Sequence, residues 1–312
     1  MNTKPALDEL FERRLIYPDV DLKERLDRLV GLEYHKSQLT KMISIMVNPV
    51  GLKDWMEKNH PGANELVDTV LRRPPLIVLG GDVGSGKTEL AETICDSVAR
   101  QEQISITLYP LSLSTRGQGR VGEMTHLLST AFDYITTEAK KLKITSGGAR
   151  GAVILLVDEA DALAQSREFS QMHHEDKAGV NAFIRGVDYI GNSRLPAAVI
   201  MCTNRMGSLD PAIRRRAANI LTFERPNEAE RREVLSAPLK QLGFSKPQIE
   251  TVVTTTGAFN GRSYGFTFSD LVQRLLPAIV IDVYPNQSVS PDRAIMIAKN
   301  MVPTPPFQEG TI

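Results

Sequence analysis

With 312 residues and 37 basic side chains against 37 acidic ones, the chain carries no net charge at neutral pH, so bulk electrostatics recommend neither a nucleic-acid nor an anionic-membrane partner. Its length suits one large and one small domain. Two cysteines, Cys95 and Cys202, stand far apart in apolar surroundings, which favours reduced core residues over a disulfide framework or metal knuckle, and the lack of an apolar leader or of any run near about 18 apolar residues predicts a cytoplasmic protein.

Residues 7–29 set apolar side chains at helical spacing among charges (Leu7, Leu10, Phe11 and Leu15, then Leu22, Leu26 and Leu29) and are interrupted by Pro18. This predicts two short amphipathic helices in an N-terminal segment, 1–29. Past Val30-Gly31, the set Leu32, Leu39, Met42, Ile43 and Met46 predicts another amphipathic helix, ended by Pro49. Apolar runs at 76–79, 104–108, 153–157, 197–201 and 220–223 then alternate with helical patterns. Most of these runs are continuously apolar, as strands covered on both faces are, so the expected fold class is α/β, a doubly wound parallel sheet, in a large domain over 30–225. Beyond Pro226 the pattern is helical only, at 228–235, 245–254 and 267–283. A small helical lid is expected over 226–300, and the prolines at 303, 305 and 306 mark 301–312 as a tail.

The first strand run opens into Gly81-Asp82-Val83-Gly84-Ser85-Gly86-Lys87-Thr88 and a helical pattern continuing through Glu89. That is the strand-to-helix setting of a phosphate-cradling P-loop. Glycines let successive N–H groups converge without Cβ obstruction, and the helix N-terminus adds positive potential beneath the phosphates. Lys87 is the candidate to reach the β- and γ-phosphates and Thr88 the candidate magnesium ligand, so ATP with Mg2+ is the expected ligand pair. Glu89 completes the candidate nucleotide-binding stretch. The run at 153–157 ends in Asp158-Glu159, two carboxylates at the carboxyl end of a buried strand, where open α/β sheets bind ligands. This looks like a Walker B site, with Asp158 on the metal and Glu159 polarising the attacking water. Asp158-Glu159-Ala160-Asp161 also spells the DEAD-box helicase signature, yet the next strand ends Met201-Cys202-Thr203-Asn204, and that family's serine-alanine-threonine motif and second domain are missing.

Asn204 instead resembles the polar sensor of AAA+ ATPases, and Leu209-Asp210-Pro211-Ala212-Ile213-Arg214-Arg215-Arg216 resembles their arginine-finger segment, with Arg216 the first choice and Arg215 the second. Val30-Gly31 resembles the family segment that contacts adenine. The motifs occur in AAA+ order over residues 25–285. Glu159 with Leu163 and Arg167, Val180-Asn181-Ala182 ahead of Asp188 and Ile190, and Arg216-Ala217 look like the HORMA-remodelling AAA+ ATPases. The compact length is similar to the bacterial members that accompany CD-NTase and HORMA proteins in CBASS antiphage systems. The resemblance implies a catalytic set of Lys87, Glu159, Asn204 and Arg216 in a homohexamer. It further implies a pore that grips a HORMA-domain client and converts it from closed to open, disassembling HORMA–nucleotidyltransferase complexes and restraining the immune signal.

Two segments depart from the family pattern. The loop expected to bear a pore aromatic reads Thr115-Arg116-Gly117-Gln118-Gly119-Arg120-Val121-Gly122, so client grip falls to backbone and Arg116 or Arg120, or to a second loop at 169–174. The start of the last long helix, where the family places a sensor arginine, reads Thr267-Phe268-Ser269-Asp270, with Arg274 a turn later. A competing class is a nucleic-acid motor or clamp loader, against which the balanced charge and the lack of stacking aromatics in the pore segment stand.

Overall fold

The protein is described from a computed structural model, which covers residues 10–113, 122–144, 148–164, 174–207, 209–259 and 261–307. The chain divides into two compact units.

The first unit comprises Met1–Asp27, Tyr34–Gly80 and Thr88–Thr222. Its centre is a six-stranded sheet of order β1-β3-β4-β5-β2-β6, with β1 at Leu15–Tyr17, β2 at Leu76–Gly81, β3 at Ser105–Ser112, β4 at Gly151–Asp158, β5 at Ala197–Thr203 and β6 at Ala217–Phe223. The pairs β3 with β4, β4 with β5 and β5 with β2 are parallel, as the continuous apolar runs predict. In β4 every residue from Gly151 to Val157 is buried, which two-sided cover requires. Parallel register sets Ser112 opposite Asp158 and Gly80 opposite Thr203, so these polar ends share one edge of the sheet.

Among the described residues, helices α1 (Val20–Asp27), α2 (Glu33–Val47), α3 (Pro49–Asn59), α4 (Asn64–Leu71), α5 (Lys87–Glu102) and α6 (Glu123–Leu142) precede or link the strands. Helices α7 (Asp161–Ala164), α8 (His174–Asn192) and α9 (Pro211–Arg216) follow. Leu128, Ala131, Phe132, Ile135 and Ala139 form the buried stripe of α6 at helical spacing. Where α6 meets α8, Phe132 packs edge-on to Phe183 at 5.7 Å.

Of the two helices read over residues 7–29, the second is α1; Leu10 is helical, residues 7–9 of the first lie outside the described residues, and Leu15–Tyr17, at the end of the first leucine pattern, form β1, which pairs antiparallel with β3 at the sheet edge. Pro18 disfavours helical backbone at Tyr17, and Tyr17 is fully buried with its hydroxyl donating to the Glu92 carbonyl. Burying that ring favours the extended backbone of Leu15–Tyr17.

The second unit comprises Arg28–Glu33, Gly81–Lys87 and Phe223–Ile312. Helices α10 (Glu228–Gln241), α11 (Lys246–Thr255), α12 (Leu276–Ile281) and α13 (Pro291–Asn300) enclose Leu235, Leu239, Ile249, Val252, Phe266, Leu271 and Ile279. Asn227 and Glu230 close a reciprocal capping box at the start of α10. The helix expected over 267–283 runs without a gap from Phe268 to Ile281, with Asp270–Leu275 wound as a π-helical turn ahead of α12. Pro277 has no N–H to give the ordinary helical bond, and the ladder widens so that the Leu276 N–H reaches the Leu271 carbonyl. The segment expected as a tail is fastened over its described part, since Thr304 hydrogen-bonds Asp270 and the Phe307 N–H donates to Asp82. No helix among the described residues is long and apolar enough to cross a membrane.

Candidate functional site

The P-loop, Gly81–Lys87, belongs to the second unit. Its two functional demands, an inward-facing backbone and close approach, fall on glycine. Gly84 sits at φ 71°, and a Cβ there would stand 2.8 Å from Thr267 Oγ1. Gly81 sits at φ 143°, and a Cβ would come within 2.0 Å of the Phe223 carbonyl oxygen. The Lys87 Nζ donates to the carbonyls of Gly81 at 3.0 Å and Asp82 at 2.7 Å, and the Ser85 hydroxyl donates to Asp82 O at 2.7 Å. The loop is therefore wound into its cradle by its own lysine.

Asp82, the one acidic residue of the motif, is held from three sides. Arg225 Nε donates to Asp82 Oδ2 at 2.6 Å, Arg225 Nη1 donates to Gly265 O at 2.7 Å, and the guanidinium lies 5.0 Å over the Tyr264 ring. The Phe307 N–H and the Val83 N–H take Asp82 Oδ1, at 3.3 and 2.9 Å. The Ser269 N–H donates to Gly84 O at 3.1 Å, so the start of the helical run from Phe268 to Ile281 touches the P-loop through backbone. Arg274, the one arginine near that position, is engaged by Asp270, Val302 O and Thr304. Val30-Gly31, the candidate adenine segment, lies in the same unit; Gly31 sits at φ 75°, and a Cβ there would stand 2.8 Å from the Glu230 side chain.

The carboxylate cluster belongs to the first unit. Asp158 closes β4, accepts the Glu159 N–H on Oδ1 at 2.8 Å and pairs with the Thr88 hydroxyl. Burial pushes the Asp158 carboxyl up from its ordinary value, against the hydrogen bonds that lower it. Glu159 adopts left-handed backbone, φ 51°, which turns its side chain out of the strand's alternation, and Ser112 donates to Glu159 Oε2 at 2.8 Å. Asn204, just past β5, is clamped by Asp161, whose Oδ1 accepts from the Asn204 N–H at 2.7 Å and whose Oδ2 accepts from Nδ2 at 3.2 Å. Thr203 Oγ1 donates to the same Asp161 at 2.8 Å. Glu89 is gripped by Arg25 through two bonds of 2.8 and 2.7 Å, which ties α1 to the first turn of α5.

Helix α9 carries the three arginines. Asp210 caps it, accepting from the Ala212 N–H, and Pro211 pre-sets its first turn. Arg216 makes a two-pronged ion pair with Asp188 of α8, at 2.8 and 2.9 Å. Arg214 donates to Met206 O, and Arg215 is exposed.

The structure thus brings Thr88, Asp158, Glu159 and Asn204 to the carboxyl edge of the sheet in one unit and winds the P-loop in the other. Sequence reasoning had assigned no role to Ser112, Asp161, Asp188 or Arg225. Of these, Asp161 carried a local signal as the last letter of Asp158-Glu159-Ala160-Asp161, and Asp188 stood in the pattern that resembles the HORMA-remodelling ATPases without a role attached to it. Of the expected pore segment 115–122, residues 115–121 lie outside the described residues, as do residues 169–173 of the second loop at 169–174. The hydroxyl of Thr88 and the carboxylate of Asp158 are hard oxygen donors in contact, a set that suits Mg2+.

The model of the ATPase family associated with various cellular activities (AAA) matches residues 77–225. The chain is 62% identical to CD-NTase-associated protein 6 of Escherichia coli strain MS 115-1, over 98% of this chain and 99% of that protein. Among solved structures, a chain of the E. coli MS115-1 HORMA:CdnC:Trip13 complex matches with TM-score 0.91 and 61% identity, covering 98% of this chain and all of that one (100%). Trip13 of Rhizobiales matches with TM-score 0.73 and 56% identity over 95% of this chain and 100% of that one. The chain belongs to the family of CD-NTase-associated protein 6 and carries its AAA ATPase domain.

Proposed function

We propose that this chain is an ATP-driven protein remodeller. Six copies form a ring that engages a HORMA-domain client, converts it from closed to open, separates it from a CD-NTase nucleotidyltransferase and so restrains CBASS antiphage signalling. The observation that carries this reading is the likeness, across nearly the whole chain, to a chain of a complex containing HORMA and CdnC.

The residues divide the work as follows. The amides of Gly81 to Gly86 cradle the phosphates, Lys87 leaves its two loop carbonyls for the β- and γ-oxygens, and Val30-Gly31 contact adenine. Thr88 and Asp158 hold Mg2+, which supplies charge neutralisation at the phosphates. Glu159 accepts the proton of the attacking water while Ser112 fixes its carboxylate, and Asn204 orients that water with Asp161 holding its amide. Arg216 acts on the site of the neighbouring copy, and its pairing with Asp188 aims it.

The test uses Glu159→Gln, whose amide cannot take the proton. ATP affinity is expected to persist while turnover falls by about 10²–10⁴-fold. With ATP added, the stalled variant is used to capture its client from the native cell's lysate. Recovery of a HORMA-fold protein supports the remodeller. Near-wild-type turnover removes Glu159 from its role, and recovery of nucleic acid or a sliding clamp overturns the client assignment in favour of a loader.

A further inference from the structure

At the opposite edge of the first unit's sheet from Asp158 and Asn204, a cavity of about 190 Å³ lies beside the amino ends of β2 and β5, next to Pro75 and Pro196. Its wall is apolar, built from Met42, Met46, Val70, Leu71, Ile190 and Leu195. For comparison, an apolar cavity of about 150 Å³ is large enough to hold benzene, so a ring or a short alkyl chain fits here. Two methionines give such a wall adaptable shape.

The charged residues of the lining are all cations: Lys53, Arg73, Lys143 and Arg194, with no Asp or Glu among them. None of the four pairs with a carboxylate among the described residues, whereas Arg25, Arg216, Arg225, Arg232, Arg274 and Arg293 all do. Two of the four are positioned by backbone. Lys143 Nζ donates to Ser193 O at 2.8 Å. Arg194 follows α8 in left-handed backbone, φ 47°, where helices favour glycine and a side chain carries a steric cost. Non-glycine residues held in such conformations cluster at ligand clamps.

We propose that this cavity is a binding site for a small amphipathic anion, an alkyl chain or ring bearing a carboxylate or phosphate head. The chain enters the apolar wall and the head meets the four cations, a charge match that a neutral amphiphile cannot make. The site involves none of the residues assigned to nucleotide chemistry, so the inference stands apart from the remodelling reading.

The experiment is isothermal titration of the full chain with octanoate and with octyl phosphate below their micellar concentrations, with octanol as the neutral control. Trp55, the single tryptophan, lies two residues from Lys53 on α3 and gives a second readout by fluorescence. Both anions are expected to bind saturably at one per chain and at least tenfold more tightly than octanol. Arg73→Ala combined with Arg194→Ala, both exposed positions, is expected to weaken them at least tenfold with ATP turnover unchanged. Filling the cavity with Val70→Trp is expected to abolish binding. Absence of saturable binding at millimolar anion overturns the proposal, as does octanol binding equal to octanoate in both the parent chain and the Arg73/Arg194 variant.

Discussion

Arg225→Ala probes how the P-loop is held. The lost ion pair with Asp82 is 14% exposed on the arginine side and 17% on the aspartate side. It therefore falls between exposed pairs, worth about 0–1 kcal/mol, and fully buried ones, whose breaking costs about 3–5 kcal/mol. A coupling of about 2 kcal/mol follows. A second route gives the same size. Asp82 is fixed from both sides, by Arg225 and by the Phe307 N–H, and releasing it frees one or two loop residues, at about 1–2 kcal/mol each of backbone entropy that nucleotide binding must then remove. At about 1.4 kcal/mol per tenfold, ATP affinity should fall by about thirty-fold. A double-mutant cycle of Arg225→Ala and Asp82→Ala, read by ATP titration, measures the coupling directly. Arg225→Lys should fall between, since an ammonium keeps the charge but loses the fork to Gly265 O and the stack on Tyr264. A coupling under about 0.5 kcal/mol, below the range that contacting pairs show, with ATP affinity unchanged, would refute the idea that this pair organises the loop.

Further outcomes concern the finger and the acid limb of stability. If Arg216 serves the neighbouring site, Arg216→Ala should lower turnover by about 10³-fold or more, while Asp188→Ala, which frees the same guanidinium, should cost far less; a loss that instead follows Arg215→Ala moves the role to that exposed neighbour. Asp270 is fully buried, which alone would raise its pKa, but hydrogen bonds from Thr267, Thr304 and Arg274 outweigh burial and hold it below the usual carboxylate range. A carboxyl lowered by folding contributes stability that is present above its unfolded value of about 3.9 and is lost as pH falls toward the folded value. Urea midpoints measured from pH 7 to pH 3 should therefore drop steeply below about pH 4 in the parent chain and less steeply in Asp270→Asn; parallel acid slopes in the two proteins would place the sensitivity elsewhere.

What could be read from the chain alone was whatever is local or periodic. The P-loop motif is eight consecutive residues, and its lysine bonds within the loop itself, to Gly81 O and Asp82 O. Asp158-Glu159 were legible because they end a run that only a strand buried on both faces would carry. Helical stripes such as that of α6 repeat at a spacing the sequence displays directly. Tertiary structure decided the rest, because pairings between distant residues leave no local period. Three residues of β1 become a strand only because β3, about ninety residues later, offers an edge and the core accepts Tyr17. Asp161 finds Asn204, Asp188 finds Arg216 and Asp82 finds Arg225 across separations of 43, 28 and 143 residues. The cations of the apolar cavity likewise come from separate segments and stand together only once the sheet has formed. The candidate site residues stand in short motifs, and their orientation resides in charges and hydrogen bonds that folding alone brings within reach.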